Sequence, residues 1–296
     1  MQNRLKPKPI VFVTYILPSF LLYTFVVFVP ILLAVYYGFF DWSGGTKKEF
    51  IGLGNYIALF QDDKFWSALQ NNLFLIIVCV IGQIGIAFIF AMLLSSRLAK
   101  LKNLHRTITF FPSVLSAVVI GFIWSMIYDY NYGLLNMFLK AAGLEEKIQP
   151  WLSNEKIVML LVTIPLIWQY IGYYLIIIIS SIASIDTQIF EMAEIDGATG
   201  WKKAIHITLP MIKNTIMVCI TLCIAGNMKA FDHILTMTNG GPGNASEVVA
   251  LYAYKTSFAS QKMGYGSALS IAILIISLLF VGIVQLGMKK LTKEKE

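Results

Sequence analysis

The chain has 296 residues, 57% of them hydrophobic and 13% charged, with a mean hydropathy of +0.72 and a formal net charge of +7. Soluble domains carry about 25% charged residues, so this balance excludes an ordinary soluble domain and fits a chain whose outer surface meets lipid. The basic residues gather at the ends of apolar runs, without interleaved stacking aromatics, which speaks against a nucleic-acid groove.

Stretches free of Asp, Glu, Lys and Arg occur at 10–40, 65–96, 107–128, 157–185 and 264–288, with a shorter sixth at 214–228. About 20 apolar residues suffice to cross a bilayer core as a helix. The expected fold is therefore all-α, with six transmembrane helices at about 10–40, 67–95, 107–128, 157–183, 210–231 and 264–288 in a single domain over 1–296. The first run carries basic residues in front (Arg4, Lys6, Lys8). It is too long for a signal-peptide core and lacks a small-residue cleavage site, so a retained helix is expected.

In chain order, helix 1 contains Pro18 and Pro30, both able to bend a membrane helix. The loop after it carries a short interfacial helix with Tyr56, Leu59 and Phe60 on one side. Helix 2 contains "GQIGIAF", whose Gly82 and Gly85 allow close helix approach. The loop "RLAKLKNLHR" is basic and acid-free. Pro112 opens helix 3. "NYGLLNMFLKAAGL" reads as a short amphipathic helix ended by Gly143. Helix 4 carries "WQYIGYYL". Past helix 5, "TNGGPGNASE" is turn-forming, and "SEVVALYAYKTSFAS" reads as an interfacial or re-entrant helix. Helix 6 ends in the polar tail "KKLTKEKE".

Six helices put both termini on one side. With that side inside, the inner segments hold 14 of the 23 Lys and Arg, over fewer residues than the outer loops. That bias predicts cytoplasmic termini. It also places a loop over 184–210 in the cytoplasm.

That loop contains "EMAEIDGATGWKKAIHITLP", five charges within a few turns of an otherwise apolar chain. Ser184 or Asp186 can cap a helix running to Asp196. Ile189, Met192, Ala193 and Asp196 then lie near one face, and Glu191 and Glu194 on another. Gly197 ends the helix. A second helical piece follows over 201–207, and Pro210 breaks the chain or starts helix 5. By physical chemistry alone, a solvated elbow and a docking element are equally good readings.

The chain has no phosphate-binding G-x-x-x-x-G-K-[ST], no H-E-x-x-H, no G-x-S-x-G and no cysteine cluster. No catalytic residue and no metal site are expected. Cys79, Cys219 and Cys223 fall in apolar runs and read as packing. Membrane-embedded ionisable groups, which ion-coupled carriers need, are nearly absent. Lys229 and Asp232 come nearest, three apart at the outer end of helix 5, where on a helix they could pair.

The segment 191–210 resembles the E-A-A-x3-G-x9-I-x-L-P motif of ATP-binding-cassette importer permeases. Glu191, Ala193, Gly197, Ile207, Leu209 and Pro210 match, while Met192 replaces an alanine. The similarity extends over nearly the whole chain, through "LPSFLLYTFVVFVPILLAVYYGFFDW", "FIGLGNYIALFQDDKFWSALQNNLFL", "YNYGLLNMFLKAAGL" and "TNGGPGNASE". These resemble the carbohydrate-uptake branch, and within it the subunit type of the larger membrane protein of the maltose importer.

The resemblance implies a type I importer permease fold in a bacterial inner or plasma membrane. It implies no enzymatic activity in this chain, with ATP and Mg held by a partner. The implied partners are a second homologous permease subunit, an ATPase subunit dimer and an extracytoplasmic solute-binding protein that delivers a sugar or polyol. Glu191, Met192, Ala193, Asp196, Gly197, Leu209 and Pro210 would couple to the ATPase. Tyr173 and Asn227 would meet the solute, with Ser113, Gln169, Lys229 and Asp232 as further candidates along the path. The alternative is a self-contained secondary carrier for a small polar solute.

Overall fold

The computed structural model of the chain describes residues 9–96 and 100–293. Arg4, Lys6, Lys8, Arg97 and the end of the polar tail, 294–296, lie outside the described residues.

Helix α1 runs as Pro9–Tyr23, a π-turn Thr24–Phe28, and Val29–Tyr37. A two-stranded antiparallel ribbon follows, β1 (Phe40–Trp42) and β2 (Lys48–Phe50), then α2 (Gly54–Phe60). Helix α3 is Asp63–Ser95, with a π-turn at Val80–Ile84. Next come α4 (Lys102–Val114), α5 (Ala117–Ile127) and α6 (Leu134–Ala141). The long α7 is Val158–Ala183, followed by α8 (Thr187–Ile195), α9 (Gly200–Met211) and α10 (Lys213–Asn227). Short helices α11 (Asp232–Met237) and α12 (Val249–Tyr254) precede α13 (Met263–Lys293).

Among the described residues four helices are long and apolar enough to cross a bilayer, and two bent pairs raise this to six. The pair α4 and α5 is bent by 98°, and the pair α9 and α10 by 77°. Two expectations need correction here. Helix 1 stops at Tyr37, short of residue 40, because the chain turns into the ribbon. Helix 5 ends at Asn227 instead of 231, and its first half reaches back to Gly200. The ribbon is a small β element in an otherwise helical chain.

The chain divides into two compact units. One comprises Met1–Asp62 with Ala253–Leu274, the other Asp63–Tyr252 with Ile275–Glu296. Within the first, buried Asn55 donates from Nδ2 to the carbonyls of Gly38 and Phe40, 2.9 Å each. Those carbonyls are left over where α1 ends. On α2, Leu59 is buried but Phe60 is 69% exposed, so the two do not share one packed face as expected.

Within the second unit, α7 lies at the centre; Val158, Val162, Leu175 and Ile178 are fully buried. Gly172 lets it lie backbone to backbone on α4, since a Cβ there would collide with the Thr109 carbonyl. Gly82 similarly faces the Ile167 side chain, whereas Gly85 faces open space. Pro165 removes one N–H from α7, and the Tyr128 hydroxyl donates, at 3.4 Å, to the Leu161 carbonyl four residues back.

The same logic governs the other interrupted backbones. Leu115 is extended at the α4–α5 bend, and its carbonyl accepts from Gln169 Nε2 at 3.0 Å. The Asn227 carbonyl, at the end of α10, accepts from Asn72 Nδ2 at 3.2 Å. The Leu166 carbonyl accepts from Gln83 Nε2 at 3.0 Å. Irregular backbone survives at membrane depth only when neighbouring helices supply such partners.

Candidate functional site

The charged segment forms a two-legged elbow. Asp186 caps α8, accepting from Gln188 N at 3.0 Å. Gly197 takes a φ of +76°, a left-handed conformation that glycine adopts without a Cβ clash. Around it the Ala198 N–H donates to the Ala193 carbonyl at 2.8 Å, closing the helix end. The chain reverses into α9, where Lys203 Nζ forms a 2.8 Å ion pair with Glu194 Oε1 and lies 5.6 Å from the Phe190 ring centroid. That pair spans the two legs. It is partly exposed and worth under about 1 kcal/mol, so its role is geometric.

Burial divides the segment differently from the expected faces. Ala193 is 6% exposed, covered by the chain's own residues. Helix α8 packs inward through Ala193, with Ile189 and Phe190 partly covered. Glu191, Met192, Ile195, Asp196 and Gly197 are exposed, Ile195 at 85% and Met192 at 58%. Ile195 is the exposed apolar residue the sequence reading passed over; its place just before the helix end was the available signal. Leu209 and Pro210 stand in the last turn of α9, about 15 Å along the helix from Gly200. They belong to the root of helix 5 and not to the elbow's tip.

Between α8 and the end of α3 is a cavity of about 660 Å³, lined among others by Met92, Ser95, Phe190, Glu194, Trp201 and Thr208. The elbow is thus carried on its two legs and on the Ala193 contact.

The candidate path residues fall into two groups. Gln169 is 2% exposed and uses both ends of its amide: Nε2 donates to Leu115, and Oε1 accepts from His233 Nε2 at 2.8 Å. The carbonyl acceptor fixes the Gln169 orientation and makes Nε2 the protonated nitrogen of His233. Asn227 is buried, with its Nδ2 donating to the Cys223 carbonyl at 2.8 Å. Ser113 Oγ donates to the Phe110 carbonyl at 2.7 Å. Gln169 thus bridges separate elements, whereas Asn227 and Ser113 bond back within their own helices. Tyr173, Lys229 and Asp232 are exposed. Lys229 and Asp232 form no ion pair, because α10 ends at Asn227 and the two residues do not share a helix.

His233 was not legible as a participant. It follows the fifth span, is 4% exposed, and burial pushes its pKa down to about 4, with Asp232 acting against the shift. It is neutral at ordinary pH and serves as a donor. Among the described residues no cluster of His, Cys, Asp or Glu could hold a metal ion.

Residues 83–293 match the family model described as the binding-protein-dependent transport system inner membrane component. The chain is 35% identical to the probable ABC transporter permease protein YurN of Bacillus subtilis, over 99% of each chain. It is 29% identical to the probable starch degradation products transport system permease AmyD of Thermoanaerobacterium thermosulfurigenes, covering 95% of this chain and 94% of that one. It is 31% identical to the diacetylchitobiose uptake system permease NgcF of Streptomyces coelicolor, covering 88% and 77%. In fold it is similar to a chain of a bacterial alginate ABC transporter solved in complex with its alginate-bound periplasmic protein. The TM-score is 0.84, the identity 21%, and the coverage 96% of this chain and 95% of that one.

Proposed function

The chain belongs to the family of binding-protein-dependent transport system inner membrane components, and from that premise we propose that it forms half of the path of an ATP-driven importer for a sugar or related polyol. It is a multi-pass membrane protein and a transport component. The names of its relatives, which include permeases for starch products and diacetylchitobiose, support the sugar class. We place both termini and the elbow in the cytoplasm, on the Lys and Arg bias. The partners are a second permease, an ATPase dimer carrying ATP and Mg, and an extracytoplasmic binding protein.

The observation that carries this reading is the elbow. Glu191, Met192, Ile195 and Asp196 project outward from a short helix fixed at both ends by a cap, a left-handed glycine and an ion pair. A rigid, partly apolar projection on a chain with no nucleotide-binding motif suits a lever moved by a separate machine. Closure of the ATPase dimer would displace α8 and, through its two legs, α7 and α9. The solute would then meet the exposed path residues Tyr173, Lys229 and Asp232.

The test is to express the chain with the ATPase and second permease encoded beside it and to reconstitute the complex. Glu191→Arg and Gly197→Asp are expected to preserve assembly while lowering binding-protein-stimulated ATPase activity at least tenfold. Unchanged stimulation in both variants would overturn the coupling role.

A further inference from the structure

A second cavity, of about 480 Å³, opens beside the elbow at the end of α3. It is lined by Phe90, Leu93 and Leu94 together with the polar Ser96, Lys100, His105 and Thr109. Lys100 is exposed and forms no ion pair among the described residues. His105 Nδ1 lies 3.0 Å from the Leu101 carbonyl, which makes Nδ1 its donor. Thr109 Oγ1 is bonded to the His105 carbonyl within its own helix.

Charge and apolar surface are segregated around this opening. Residues 100–106 contain Lys100, Lys102 and Arg106, one His and no acid. Leu101 is 69% exposed, Leu104 51% and Ile108 63%, all on or next to α4. Leu101 also holds a left-handed φ of +52°, a conformation that costs a non-glycine residue about 1 kcal/mol. An amphipathic helix with cations beside exposed leucines lies in a membrane interface. A basic loop alone would attract anionic lipid diffusely. Here an opening lined by Phe90, Leu93 and Leu94 and by the Lys100 cation gives the attraction a place.

We propose that this cavity binds an anionic phospholipid from the leaflet on the elbow's side, with its phosphate at Lys100 and an acyl chain along Phe90, Leu93 and Leu94. Phe90 and Leu93 are themselves 39% and 60% exposed, so the chain can continue from the cavity along the lipid-facing side of α3. A free phosphate would have no use for that wall. Only the identity of the leaflet rests on the functional reading; the binding does not.

The experiment measures retention of phosphatidylglycerol against phosphatidylcholine by native mass spectrometry, on the full chain in whatever assembly it purifies. Phosphatidylglycerol is expected to be retained in preference. Lys100→Ala weakens retention about fivefold, the effect of one cation near a membrane surface. Lys102→Ala, two residues on at the start of α4 but off the cavity lining, changes it less than twofold. Thr109→Trp, which fills the opening, also weakens it. Equal losses at Lys100 and Lys102 would show diffuse attraction and overturn the site. So would equal retention of phosphatidylcholine, displacement by inorganic phosphate, or loss of the preference once the second permease is bound. Assembly without an ATPase would defeat the functional reading and leave this assay intact.

Discussion

Gln169 and His233 show how much a single amide can hold. The Gln169 side chain joins the α4–α5 bend, the middle of α7 and the start of α11 through two hydrogen bonds. Gln169→Leu keeps the volume and strands the His233 N–H and the Leu115 carbonyl. Each orphaned group costs about 1–3 kcal/mol, so a clear drop in thermal stability of the purified chain is expected. His233 adds a pH signature. Folded, it stays neutral down to about pH 4; unfolded, it titrates near 6.5. Between those values the unfolded chain binds the extra proton, so stability falls as pH drops, by up to about 1.4 kcal/mol per pH unit. His233→Asn should flatten that slope in melting curves taken across the window. None of this was legible in the sequence. Charge-free runs reveal spans because ionised groups are excluded from lipid. Amides such as Asn72, Gln83, Gln169 and Asn227 pass through the same criterion unnoticed, and their partners are backbone carbonyls that only the fold brings to them.

At the scale of elements, glycines and bends decide the packing. At Gly172, α7 and α4 meet without side chains between them. Gly172→Val must push the two helices apart, and a loss of at least about 3 kcal/mol is expected, comparable to the larger core disruptions. Heat-induced aggregation of the membrane-extracted chain would register it, and an unchanged profile would show that the helices have room to separate. The elbow was legible in greater detail. Asp186 as cap and Gly197 as terminator follow from short-range rules that act within a few residues. Its inward face was not, because Ala193 is covered by contacts outside the segment. The bends were half legible: Pro112 and Pro210 marked the neighbourhood, but the breaks fall at 115–116 and 212, where the backbone leaves helical geometry.

For the molecule as a whole, the distribution of Lys and Arg makes a direct claim about sidedness. The native cysteines are buried with 0% exposure, so single introduced cysteines report alone. Ser184→Cys should react with an impermeant maleimide only after the membrane is opened, and Ser153→Cys in intact cells. The reverse pattern would invert the topology. Helix α1 also stands out, with none of its apolar window over Val13–Tyr37 buried. The bent spans have a consequence for biosynthesis. Helix α5 has eleven residues, about 16 Å of helix against a hydrocarbon core of about 30 Å. It cannot leave the translocon as an independent span, and the Leu115 carbonyl has no Gln169 to meet until α7 has been made. Ribosome-bound chains halted before α7 should therefore hold α4 and α5 within reach of crosslinks to the insertion machinery, and chains halted after it should release them together.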